Sequence, residues 1–136
     1  MSGGVFTMPL VEAGAGAFAK VVDQFQRSTS GVAAGTAGIS ISTKPGRFYR
    51  AVVENGAATA YYVQIFDKAT APVNTDVPIW EQRLPVSGEV AIDMVNVNGL
   101  PCVNGIGMAI SSTPGTLTLA IATDIAYRSV IFTASQ

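Results

Sequence analysis

The chain has 136 residues, a formal net charge of −1 and 49% apolar residues, but only 12% charged residues. It is long enough for one domain with a real core, and ordinary soluble domains carry about 25% charged residues, so part of its surface is expected to be covered by partner subunits. No basic patch is available to track phosphates, which argues against nucleic acid as a partner, and the absence of histidine removes Ser-His-Asp, Cys-His and HExxH chemistry.

Residues 1–37 are rich in glycine and alanine and are predicted to form an N-terminal arm, with residues 38–136 as the folded domain. Val5, Phe6, Leu10, Phe18, Val22 and Phe25 are isolated apolar side chains on this arm and are the candidate contacts with other subunits. "FAKVVDQFQR" (18–27) is read as a short helix, with a strand as the alternative. "GAGAFAK" (14–20) has the outline of a nucleotide-binding loop but lacks a strand before it, because Pro9 breaks the preceding segment. The first residues lack a positive n-region and carry Glu12, so a signal peptide is not expected. No run of 18 apolar residues occurs, so no membrane span is expected.

From residue 38 the pattern is β. "GISIST" alternates, and "KPG" (44–46) is a turn in which proline presets φ. "RFYRAVVEN" places Tyr49, Ala51 and Val53 on one face. "NGAAT" breaks the chain before "AYYVQIFD", which is apolar on both faces, as expected of a central strand or one covered on its outer side. "IWEQRLP", "VAIDMV", "NGIGMAIS", "TLTLAIA" and "AYRSVIFTA" complete about eight short strands. Turn signals about every 8 to 12 residues predict an all-β, antiparallel β-sandwich or barrel. Its predicted core is Tyr61, Val63, Ile65, Phe66, Trp80, Ile92, Ile106, Met108 and Ile110. Residues 94–123 carry no charge, which predicts central strands that also offer a face to a neighbour.

The candidate chemistry is thin. Asp67, Asp76, Glu81, Glu89 and Asp93 could supply a glycosidase pair, yet no spacing singles one out. Scattered acids and a single cysteine do not make a metal site, and Cys102 is expected as a packed, inert thiol. Tyr61, Tyr62 and Trp80 could form a carbohydrate platform, but strand aromatics belong more often to the core. No catalytic, cofactor-binding or metal-binding residue is assigned, no cofactor is expected, and the chain is not expected to be an enzyme.

"YYVQIFDKATAPVNTDVPIW" (61–80) and "GLPCVNGIGMAISST" (99–113) resemble segments of small phage-encoded virion proteins. In these an aromatic strand of the type "YYLQLFDKATAP" precedes "VPI" and a G-L-x-F-x-x-G-I-x-x-A-I-S segment. The resemblance spans about residues 46–133, and the chain departs from it at Cys102 and Val103, where an aromatic is usual. It implies a jelly-roll-like β-sandwich in a virus particle, without catalytic residues. The resulting expectation is a capsid decoration or cement protein on the virion surface, made in the host cytoplasm. Its partners would be the major capsid protein and itself, as a homotrimer. The alternative is a fibre or tail-associated module that recognises surface glycans. Within "YYVQIFDKATAP", Asp67-Lys68 is expected to mark where the strand leaves the sandwich.

Overall fold

A computed structural model describes residues 24–26, 37–122 and 124–135. Among the described residues nine strands form two antiparallel sheets: β1 (Gln24–Gln26), β2 (Ile39–Ser42), β3 (Gly46–Asn55), β4 (Tyr61–Phe66), β5 (Trp80–Leu84), β6 (Glu89–Asp93), β7 (Leu100–Cys102), β8 (Ile106–Ser111) and β9 (Ile125–Ala134). One sheet runs β1-β9-β3-β6, with β7 also on β3, and the other runs β2-β8-β4-β5. The pairs β1–β9, β2–β8, β3–β6 and β4–β5 nest inside one another along the chain. A long antiparallel ribbon rolled up in this order is a jelly roll, as the sequence resemblance implied.

β6 and β7 act as one edge strand with an insertion. β6 pairs with Arg50–Glu54 of β3, and β7 pairs with Gly46–Phe48. Between them a 3-10 turn, Val95–Val97, loops out of the edge. It returns through Asn98 and Gly99, both at positive φ (61° and 85°), a conformation that asparagine and glycine accept at low cost. The insertion breaks the row of free backbone groups that a long edge would present.

The core lies between the sheets. Val63, Ile65, Ile92, Ile106, Met108 and Ile110 are buried in it beside Phe48, Val53, Leu84, Tyr127 and Val130, and Tyr61 is half-buried against it. On β3 the register shifts between Phe48 and Arg50, so both Phe48 and Ala51 face inward. Simple alternation put Tyr49 with Ala51; the bulge reverses this, and Tyr49 is only half-buried.

β4 is apolar on both faces because both faces are covered. Phe66 packs with Ala109 and Leu117 in a second, smaller cluster on the outer side of the sheet. Pro72 is buried against Gly38 and Gly107, where an added Cβ would lie 2.4 Å and 2.9 Å from it. The lid consists of the connection after β4 and the segment 112–119. "TLTLAIA", expected as a strand, makes only a bridge from Leu119 to Ser111. Its backbone bonds go elsewhere: Leu117 N–H donates to Asp76 O (2.8 Å), and Thr75 N–H donates to Leu117 O (2.9 Å). Ile121, at φ 53°, ends 75% exposed instead of sharing a face with Leu117.

Gln24–Gln26 takes the strand alternative rather than the helix expected over 18–27, adding β1 to the edge of the first sheet with Phe25 opposite Ile131. Val5, Phe6, Leu10, Phe18 and Val22 lie outside the described residues. No helix among the described residues is long and apolar enough to cross a membrane.

Candidate interaction surface

Four of the five acids singled out from the sequence hold loops or turns. Asp67 Oδ1 accepts the Asn104 N–H at 2.7 Å, tying the exit of β4 to the turn before β8. Asp76 Oδ2 accepts from Lys68 Nζ at 2.5 Å and from the Val73 N–H at 2.9 Å. These bonds hold its carboxyl below the usual range, the Lys68 bond most strongly. Glu81 Oε1 accepts from Gln64 Nε2 (2.6 Å) and from the Gly115 N–H (2.9 Å), which pins the 112–119 segment over the sheet. Asp93 Oδ1 caps the 3-10 turn through the Val95 N–H (2.9 Å), while its Oδ2 lies 3.6 Å from Arg50 Nε.

One carboxylate relationship escaped the sequence analysis. Glu54 on β3 stands directly opposite Glu89 on β6, and both line an open depression with Asn55, Gly56, Ser87 and Gly88. Like charges in that position repel, and Arg128 of β9 offsets the repulsion by pairing with Glu54 Oε1. Only a strand register could have revealed this pair. Among the described residues no three His, Cys, Asp or Glu side chains converge as a metal site.

Cys102 is buried, and its thiol is pushed up to about 11, first by burial and then by the Asp67 carboxylate. Tyr127 is fully buried, and desolvation raises its hydroxyl well above the ordinary value.

The three aromatics considered as a platform are separated. Tyr61 pairs with Leu84 at one end of the β4–β5 ladder, and Trp80 pairs with Ile65 at the other. Tyr62 points to the opposite face from Tyr61, since neighbouring strand residues alternate. Trp80, expected in the core, is 40% exposed. It opens β5, the last strand of its sheet, so no strand among the described residues lies beyond it. With Pro78, Ile79, Glu81 and Gly115 it lines a shallow open depression.

Exposed large apolar side chains gather along one sequence stretch, Val73, Val77, Ile79 and Trp80, with others at Val86, Val95, Val97, Val103 and Ile121. Four of these lie in the uncharged 94–123 stretch, whose β8 is buried at all six positions. That stretch supplies a central strand, as expected, but both faces of β8 are covered within the chain, so the outer face expected to meet a neighbour is not offered, and its exposed apolar side chains sit on loops instead.

The fold and its surface define a jelly-roll β-sandwich in which Asp67, Asp76, Glu81 and Asp93 hold loops and the exposed apolar residues sit on loops and at sheet edges. No family model matches the chain, and no curated protein matches it. Among solved structures, the Tobacco streak virus coat protein is similar at 11% identity and a TM-score of 0.39, covering 87% of this chain and 78% of that one. A likeness at that level carries no argument about function.

Proposed function

We propose that the chain is a structural protein of a virus particle, and within that class a capsid decoration or cement protein. The observation that carries this reading is the placement of the two motif segments. Their strand portions Tyr61–Phe66 and Ile106–Ser111 become β4 and β8, adjacent central strands of one sheet, with Val63 opposite Ile110, while Leu100–Cys102 of the second segment forms β7 on the other sheet. The strand portions of the resemblance to phage virion proteins therefore meet side by side in the fold. The low charge and the exposed valines of the loops support a surface that meets other subunits. On this reading the function is binding, and its partners are the major capsid protein and further copies of itself.

The mechanism is mass action. A protein that binds only the assembled shell stabilises it by the free energy of binding, and several linked copies multiply weak contacts. Particles lacking the protein are expected to release DNA at lower temperature, and adding it back is expected to restore them. Unchanged release would overturn the decoration role. The trimer is read from the mass of the purified protein in solution.

The exposure of Trp80 favours a second reading, a fibre or tail-associated module that binds glycans. Binding to a glycan array that disappears in folded Trp80→Ala protein would select it over the first.

A further inference from the structure

Among the described residues β5 is an unpaired sheet edge, and its sequence is self-complementary. It ends the order β2-β8-β4-β5, and its only ladder among the described residues is with β4. Its five residues, Trp80-Glu81-Gln82-Arg83-Leu84, carry one acid and one base symmetrically about Gln82. We propose that β5 is a homotypic docking edge, on which β5 of a second copy pairs antiparallel about a two-fold axis through Gln82.

The register follows from charge. In an antiparallel pair, directly opposite residues face the same side of the sheet. A two-fold axis perpendicular to the sheet must therefore pass through a residue and its own copy. Centred on Glu81 it opposes two acids, and centred on Arg83 it opposes two bases; both repel. Centred on Trp80 or Leu84 it leaves most of the strand unpaired. Centred on Gln82, Glu81 faces Arg83 of the second copy and Arg83 faces its Glu81, while Trp80 lies opposite Leu84.

Charged side chains on an edge usually guard it against pairing. Here they guard it against every register but one. The docked arrangement is compatible with the bonds already present. Glu81 uses Oε1 for Gln64 and Gly115, so Oε2 is available to the incoming guanidinium, and Arg83 is exposed. Both charges lie on the outer face, because Glu81 and Arg83 pair with Gln64 and Tyr62 on β4. Trp80 lies on the core-facing side with Ile65, and docking removes part of its exposed indole from water. The two four-stranded sheets would then form one continuous eight-stranded sheet, the main-chain bonds giving affinity and the charge pairs giving register. This inference stands on the charges of β5 and not on the virion role, so either can fail without the other.

The test uses the full chain. Gln82→Cys under mild oxidation is expected to form an interchain disulfide and double the 14.0 kDa chain mass. Trp80→Cys is expected not to, because residue 80 and its own copy would stand about 14 Å apart in this register. Arg83→Glu, at an exposed site, is expected to keep the wild-type circular dichroism while halving the mass measured by light scattering. Where other faces hold three copies together, β5 joins two such trimers, and the mass halves all the same. Undiminished association of Arg83→Glu, or cross-linking through residue 80 and not through residue 82, would overturn the proposal. So would a wild-type chain that stays monomeric at its solubility limit.

Discussion

Lys68 and Asp76 clasp the loop that carries the chain away from β4, with Nζ 2.5 Å from Oδ2. The same carboxylate oxygen holds the Val73 N–H, and the Asp76 carbonyl receives the Leu117 N–H at 2.8 Å. One aspartate thus joins the β4 exit to the segment that covers the sheet. Its carboxyl lies below the ordinary 3.8 because the ionised form is the one bonded. A depressed carboxyl stabilises the fold at pH values above its unfolded pKa, and the contribution fades as pH falls through the lower folded value. Asp76→Asn is expected to cost up to about 1 kcal/mol at pH 7, the scale of a partly exposed pair. That difference should shrink in acid below the ordinary carboxyl pKa. Urea midpoints at pH 7 and pH 3 measure it; a difference unchanged between them would remove the ion pair as the cause.

Met108 and Trp80 were expected to share the core, and they should respond oppositely to truncation. Met108 is fully buried on the central strand β8. Met108→Ala is expected to destabilise by about 2–5 kcal/mol through lost burial and an unfilled cavity. Trp80→Ala, at a 40% exposed edge position, is expected to cost much less in the isolated chain. Denaturant unfolding followed by circular dichroism separates the two.

Asn55 is 1% exposed and organises the end of the sandwich away from Gly46. Its Nδ2 donates to Thr59 O (2.9 Å) and Pro85 O (3.0 Å), and its Oδ1 accepts the Ala57 N–H (2.9 Å). Asn55→Ala leaves these backbone groups without their partner and is expected to cost about 1–3 kcal/mol. Hydrogen exchange should show faster exchange at Ala57 while β8 amides keep their protection relative to global stability.

Cys102 should be unreactive in the folded chain. With its thiol at about 11, against an ordinary 9.0, the thiolate population at pH 8 falls roughly a hundredfold. A disulfide reagent is therefore expected to label the unfolded chain at least that much faster, with the folded rate climbing as pH approaches 11. Equal rates in native buffer and in urea would show the thiol to be open to solvent.

The alternation of apolar and polar residues marked β2, β3, β4, β5, β6, β8 and β9 well, because strand faces repeat every two residues. It missed β7 and β1. β7 is three residues long with Pro101 at its centre, and β1 sits within a segment whose spacing also suits a helix. It overextended at "TLTLAIA", where the pattern is perfect but the backbone finds its partners in the loop around Asp76. For the candidate surface, the sequence pointed to residues 94–123 and to the aromatics, but not to which aromatic faces water. Nor did it show Glu54 opposite Glu89, since that depends on the register of two strands 35 positions apart in the chain.

What the amino-acid order determined by itself was the all-β class, the main core positions and the shortage of chemistry-bearing side chains, since periodicity and composition are local properties. Only the tertiary structure decided which strands are central and which are edges. That decision buried Met108 and Gln64, left Trp80 in water, and gave Asp67 and Lys68, expected at the strand exit, their partners Asn104 and Asp76. The physical reason is that a strand carries its two faces in its own sequence, but what covers each face, and whether its edge is paired, belongs to its neighbours.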